Sequence, residues 1–352
     1  MKEAVIITAA GSIIGEGVIK CLKFANTSNQ KSSYEIVAAD MSAEAAGLYR
    51  GDYGEILPPP DAPNYFEAIT GICKKYSVRA IFVGSDEELL PLAKLASKIE
   101  RETGSKVITN PVPALEIGMD KWKTYELLKS KGLPCAESSL SENKIDFIRD
   151  HGYPVVVKPR VSHGSENLFV ARSEKELEYS LSLIRVRRGE PIIQEYLEED
   201  DAEYTTGVVL SEQHAAVISS IAIRRKLKHG QTYKAFVEDA EWIRRSSEAV
   251  ALALGGNGPV NIQSRFSDGK SKVFEINPRF SASCPIRAVA GVNEPDIVFR
   301  DQILHEDVSV PEYKKLVALR FWNEVYVPQE TFEAALKSGS VNGDRSFVPD
   351  YF

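Results

Sequence analysis

The sequence predicts two regions of different class: an open parallel α/β sheet over residues 1–113, then a larger α+β region over 114–352. Three observations carry this. Up to Thr109, continuous apolar strand runs alternate with helical stretches, as in a parallel sheet covered on both faces. Pro111 and Pro113 then punctuate the chain. Beyond them the strands come in adjacent antiparallel groups, including two joined by the hairpin-type dipeptide Asp268-Gly269. A chain of 352 residues suits about two domains.

In order, Ala4–Thr8 reads as a first strand and Gly15–Phe24 as a helix with Val18, Ile19 and Leu22 on one face. Strands follow at Ile36–Ala39, Ala80–Val83 and Lys106–Thr109, with helices at Tyr65–Tyr76 and Glu87–Arg101. Ser85 ahead of the second helix reads as its cap. In the second region Asp120 precedes a helix over Lys121–Lys131, stopped by Gly132-Leu133-Pro134. Pro154–Pro159 is a strand, and Ser173-Glu174-Lys175-Glu176 is a capping box opening a helix striped with Leu177, Leu181 and Ile184. Ile192–Leu197 is a strand. Glu203–Leu210 and Ala215–Ile223 are antiparallel neighbours, Glu241–Leu254 is a helix, and Val260–Phe266 and Lys272–Ile276 form the hairpin. Leu316–Val327 is a last β-rich run whose aromatics, among them Phe321 and Trp322, are expected to cover the core.

Composition narrows the function classes. Lys and Arg total 43 against 50 acids, a net charge of −7, so no broad basic face for nucleic acid is expected. No apolar run approaches the length of a membrane span. Cys21, Cys73, Cys135 and Cys284 are scattered without a CxxC, which argues against disulfides and zinc and fits a reducing, cytoplasmic setting.

Familiar nucleotide motifs fail. A dinucleotide fingerprint begun at Gly11 places Ile13 and Glu16 where glycines are required, leaving Gly11 and Gly15 as a tight strand-to-helix turn. Gly269-Lys270-Ser271 lacks the leading glycine of a phosphate loop, because Ser264 stands there. Val157-Lys158 lacks the remaining protein-kinase signatures. A dispersed set remains: Lys121 at a helix start, Lys158 at a strand end, the small-residue loop from Ser162, Gln194-Glu195-Tyr196-Leu197, Glu203, Asn261-Ile262-Gln263, and Phe274-Glu275-Ile276-Asn277-Pro278-Arg279.

This order of residue types resembles the ATP-grasp superfamily, in particular the ATP-grasp halves of carbamoyl phosphate synthase large chains and their stand-alone relatives. The resemblance covers roughly residues 114–300. It implies a Rossmann-like pre-ATP-grasp domain over 1–113 and a two-lobed ATP-grasp domain over 114–352, with lobes about 114–196 and 197–352. It further implies ATP and Mg²⁺ (or Mn²⁺) as cofactors. Lys121 and Lys158 would contact phosphates, and Ser162, Gly164 and Ser165 would form the closing loop, in which Glu166-Asn167 departs from the basic residue and glycine often found there. Gln194, Glu195, Tyr196 and Leu197 would form the adenine hinge and Glu203 the ribose contact. Gln263, Glu275 and Asn277 would be metal ligands, oxygen donors of the kind Mg²⁺ takes. Arg279 and Lys226 are the catalytic candidates; Arg224 and Lys226 share a strand face by alternation. Arg287 is either a substrate-carboxylate contact or an exposed helix residue.

The implied activity is an ADP-forming carboxylate–amine ligation through an acyl phosphate. The substrates would be a small-molecule carboxylate and an amine, with neither nucleic acid nor membrane as partner and a homodimer by analogy. Two alternatives stand beside it: carbamoyl-phosphate-type phosphorylation of bicarbonate or carbamate, and a non-catalytic nucleotide-binding regulatory subunit. A single copy of the motif set argues against complete carbamoyl phosphate synthesis by this chain.

Overall fold

The protein is described by a computed structural model over residues 2–27, 32–162, 167–198, 203–267, 269–310, 312–321, 323–342 and 346–349. Its first sheet holds five parallel strands, β1 (Glu3–Ile7), β2 (Tyr34–Asp40), β3 (Tyr53–Ile56), β4 (Ala80–Phe82) and β5 (Lys106–Ile108), in the order β3-β2-β1-β4-β5. Strand alternation divides its apolar residues between two cores. Ile6, Val37 and Ile81 pack under α2 (Tyr65–Tyr76) and α3 (Asp86–Thr103). Val5, Ile7 and Phe82 pack with α1 (Ile13–Thr27). The turn into α1 needs glycine at position 15, where a Cβ would lie 2.3 Å from the Ala9 carbonyl oxygen.

After α4 (Val112–Gly118) and α5 (Lys121–Ser130), a small lobe forms from β6 (Ser138–Leu140), α6 (Lys144–His151), β7 (Val155–Pro159), β8 (Phe169–Ala171), α7 (Glu174–Val186) and β9 (Pro191–Glu195). Its antiparallel sheet runs β6-β9-β7-β8. Ser173 caps α7 by accepting from the Glu176 backbone N–H at 3.4 Å. Val155 and Val157 face α7 in a core belonging to this lobe, so period-two alternation turns Val156 and Lys158 to the opposite side.

The large sheet is antiparallel, built from β10 (Glu203–Leu210), β11 (Val217–Lys228), β12 (Gln231–Val237), β13 (Pro259–Ser267), β14 (Lys270–Asn277) and β15 (Leu316–Leu319) in the order β14-β13-β10-β11-β12-β15. One face packs on α5 and α8 (Glu241–Leu254) through Val208, Leu210, Ile262 and Ile276. The other, through Val209, Ile221 and Ile223, shares a core with the first sheet, α1, α9 (Cys284–Ala290) and α10 (Glu294–Gln302). The first domain is thus fixed against the large sheet by common apolar burial, whereas the small lobe has its own core.

Several sequence expectations change. β11 continues through Lys228 and turns at His229 and Gly230, both at positive φ (51° and 73°), a hairpin missed for want of an Asn-Gly signal. Residues 114–135 pack with the large lobe rather than the small one, through Ala114, Leu128 and Cys135. The chain end does not stay in the second region: after α11 (Gln329–Ser338), β16 (Ser340–Asn342) joins the first sheet antiparallel to β3. Only Leu316–Leu319 of the late β-rich run forms a sheet strand, and Phe321 is exposed rather than covering the core. All four cysteines are buried and unpaired. No helix among the described residues is long and apolar enough to cross a membrane.

Candidate active site

A cleft of about 340 Å³ lies between the small lobe and the large sheet. Sheet register explains what lines it. Gln263 pairs directly with Glu275, and Asn261 with Asn277, so all four side chains share one face of the β13–β14 hairpin. On the same face β10 places Glu203 opposite Arg265, and the register of β11 brings Arg225 beside Glu203.

Two lysines meet the carboxylate of this face. Lys121, at the first turn of α5, is buried; its Nζ donates to the Ser162 carbonyl oxygen (3.0 Å) and Oγ (3.2 Å) and lies 3.8 Å from Glu275 Oε1. A lysine there opposes the helix dipole, and Asp120 offsets this by capping the helix while pairing with Arg160 at 2.6 Å. Lys158 is only 5% exposed. Its Nζ donates to Gln194 Oε1 (2.8 Å) and the Phe274 carbonyl oxygen (3.3 Å). Burial, aided by the neighbouring positive charge of Lys121, pushes its pKa down to about 7, against the opposing pull of Glu275 and Glu203.

At the hinge, the Gln194 amide holds Lys158 and donates to Ser138 Oγ (3.0 Å), so this side chain serves the lysine. The Glu195 carboxylate accepts from the Glu137 backbone N–H (2.9 Å) and pairs with Lys272. Tyr196 and Leu197 line the cleft. Arg265 donates to the Leu197 carbonyl oxygen (3.0 Å) and to Glu203 Oε2 (2.6 Å). Glu203 Oε1 accepts from Arg225, which also donates to Gln263 Oε1 (2.9 Å).

The proposed metal ligands form a coherent oxygen set. Glu275 lies 3.8 Å from Lys121, Gln263 and Asn277 offer amide oxygens, and Asn277 Nδ2 is buried without a hydrogen-bond partner. This donor set fits Mg²⁺, although a single carboxylate makes a weak site until phosphate oxygens complete it. Among the described residues no group of three His, Cys, Asp or Glu could hold a metal alone. Arg279 forms a two-pronged ion pair with Asp86 of the first domain (2.8 and 2.9 Å) and donates to Asn277 Oδ1 (3.0 Å). Ser85 caps α3 as expected, while Asp86 bonds across the domains to Arg279.

Lys226 requires correction. It is exposed on the other face of β11, alongside Arg224, which pairs with Glu238, and it lines neither cavity. Arg225 occupies the cleft instead. Arg287 is neither a ligand contact nor exposed: it is fully buried, with Glu294 at 3.1 Å and Thr205, Asn261 and Ser281 as partners. Gly164 and Ser165 lie outside the described residues. Arg225, Arg265 and Lys272 were not foreseen as site residues, and Asp86 was expected within a helix cap, with a place facing the substrate as the alternative. Only strand alternation carried a signal for Arg225, and that needs the register first.

The cleft thus gathers lysines, carboxylates and amides from the small lobe, α5 and the large sheet. Residues 119–283 match the ATP-grasp domain family and residues 5–108 match the PylC-like N-terminal domain. Carbamoyl phosphate synthase large chains are among its relatives. That of Archaeoglobus fulgidus is 24% identical over 302 residues, 81% of this chain but 27% of its own length. That of Neisseria meningitidis serogroup B is 26% identical over 205 residues, 54% of this chain and 19% of its own. The chain therefore spans about a fifth to a third of the length of such relatives.

Solved structures share the fold. N5-carboxyaminoimidazole ribonucleotide synthetase in its ADP complex superposes with a TM-score of 0.69 at 16% identity, covering 96% of this chain and 84% of that one. The biotin carboxylase domain dimer of Hydrogenobacter thermophilus 2-oxoglutarate carboxylase, solved with MgADP, ADP and bicarbonate, gives 0.67 at 18%, covering 96% and 76%.

Proposed function

We propose that this protein is an ADP-forming ligase that uses ATP and Mg²⁺ to activate a small-molecule carboxylate and joins it to an amine. The observation that carries the reading is the convergence of Lys121, Lys158, Gln263 and Glu275 on one cleft, with Asn277 on the same face of the β13–β14 hairpin. Phosphoryl transfer depends chiefly on alignment and charge neutralisation, and this cleft supplies both. Lys121 and Lys158 would hold the phosphates, with Gln194 aiming Lys158. Glu195 to Leu197 would bound the adenine, and Glu203, set between Arg225 and Arg265, the ribose. Gln263, Glu275 and Asn277 would hold Mg²⁺, which when bound neutralises charge on the phosphate oxygens.

A carboxylate oxygen of the acid then attacks the γ-phosphorus, and the bond to the β,γ-bridging oxygen breaks, with that electron pair leaving on ADP. The amine nitrogen next attacks the acyl carbon, phosphate leaves, and the amine loses a proton to solvent. Arg279, fixed by Asp86 beside Asn277, is placed to steady the transferred group. The neighbouring solved structures include an L-amino acid ligase from Bacillus licheniformis, with a TM-score of 0.61 at 16% identity, which supports this class of chemistry.

The test is ADP release with ATP, Mg²⁺ and a panel of carboxylic acids, with hydroxylamine trapping any acyl phosphate as a hydroxamate. Nucleotide binding without ADP release across the panel would favour the non-catalytic reading. AMP in place of ADP would overturn the mechanism. The large-chain relatives favour a second reading, in which bicarbonate or carbamate takes the phosphoryl group. ADP release that depends on bicarbonate alone separates the two.

A further inference from the structure

A second cavity of about 310 Å³ lies between the large sheet and the first domain, and shares Arg225, Gly230, Gln263 and Glu275 with the nucleotide cleft. An acid awaiting phosphorylation must enter here, with its reacting carboxylate at the shared end. The cavity's cations are not equivalent. Arg279 is neutralised by Asp86 and Arg225 by Glu203. Arg320 lines the cavity, donates from its side chain to the Ala282 carbonyl oxygen, and has no carboxylate within ion-pair distance among the described residues. Burial pushes its pKa below the ordinary arginine value. Asp86, Glu87 and Glu275 also line the cavity, but none of them pairs with Arg320, and a partly buried guanidinium without an ion-pair partner is costly unless a ligand supplies one.

Sheet order fixes where that charge stands. Arg320 directly follows β15, whose Leu319 pairs with Lys234 of β12, and its backbone N–H donates to the Tyr233 carbonyl oxygen at 3.1 Å. Four strand spacings separate β15 from β13, roughly 19 Å at about 4.8 Å each. Arg320 therefore starts from the far edge of the sheet and reaches by its long side chain into the cavity that Gln263 and Glu275 also line.

We propose that Arg320 anchors a second carboxylate on the acid substrate, making the protein selective for dicarboxylic acids. The proposal rests on the ligase reading for its direction. The residue lies beyond the matched ATP-grasp segment, just after the edge strand of the large sheet.

The test uses the full chain saturated with AMP-PNP and Mg²⁺, titrated with succinate, glutarate, aspartate and glutamate, and with butyrate, asparagine and glutamine as matched probes lacking the second carboxylate. Binding is read by calorimetry. At least one dicarboxylate binds wild type tenfold or more tightly than its matched probe, Arg320→Gln abolishes that preference, and Arg320→Lys restores part of it. The melting temperature without acid and the AMP-PNP affinity serve as folding controls. No binding of any dicarboxylate, equal affinity for both probe sets, or an Arg320→Gln protein that keeps the preference overturns the proposal. Loss of AMP-PNP binding by wild type would instead sink the nucleotide reading and leave the acid preference measurable on its own.

Discussion

On the proposed function, Lys158 should make the binding of nucleotide a proton-uptake reaction. With its pKa pushed down to about 7, this buried ammonium is about nine-tenths deprotonated at pH 8 in the free protein. A triphosphate placed against it favours the charged form and raises the pKa. Binding of AMP-PNP·Mg²⁺ at pH 8 should then take up about 0.9 proton, against about 0.1 at pH 6. Calorimetry in buffers of different ionisation enthalpy reads this number directly. Lys158→Met should reduce the uptake to near zero and weaken nucleotide binding at least tenfold. The stability sign follows from the same shift. The folded pKa lies below the unfolded one, so the destabilisation is fully present below about pH 7 and fades as the pH rises through about 10. The variant should therefore gain stability relative to wild type at pH 6 and lose that gain near pH 10.5. Uptake at pH 8 that is absent in wild type, or unchanged in Lys158→Met, would refute the placement of this lysine against phosphate.

Other residues give independent checks. Glu275→Ala should cut ADP formation by about 10²-fold or more, about 3 kcal/mol of lost transition-state contact, while circular dichroism and melting stay close to wild type. Mn²⁺ titration followed by electron paramagnetic resonance should show weak, millimolar binding to the protein alone and tight binding once AMP-PNP is present, because Glu275 is the only carboxylate of the set. Gly207→Ala should lower unfolding free energy in urea by about 3 kcal/mol, since its Cβ would fall 1.6 Å from Glu294 Oε1 and crowd the buried Arg287–Glu294 pair. Arg225→Leu should raise the KM for ATP and impair kcat, with Lys226→Leu close to wild type in both, because only the former lines the cleft.

Much of this architecture was legible in the residues. The first sheet was readable because strands buried on both faces are continuous apolar runs, and β1, β2, β4 and β5 each carry one, at residues 4–7, 36–39, 80–82 and 107–108. β3 was not, since Tyr53-Gly54-Glu55-Ile56 lacks such a run and owes its place to pairing with β2. β16 returns from the far end of the chain, and local pattern carries no record of so distant a pairing. At the site, the helix-start and strand-end lysines and the Gln–Glu–Asn block were visible because their spacing on one hairpin is local. Arg225 was mistaken for Lys226 because a basic run offers two faces of equal charge, and only the register against Glu203 decides between them. Arg287 was left between a substrate contact and an exposed helix residue because helix position alone does not reveal a buried partner seven residues on.

The central claim is that the β13–β14 hairpin holds a divalent ion against the tail of a nucleotide lying between the two lobes. The most direct measurement is an anomalous-scattering crystal structure of the protein with AMP-PNP and Mn²⁺. The account predicts manganese density beside Gln263, Glu275 and Asn277, with Lys121 and Lys158 on the phosphates and adenine beside Glu195 to Leu197. Manganese elsewhere, or a nucleotide bound outside this cleft, would contradict it.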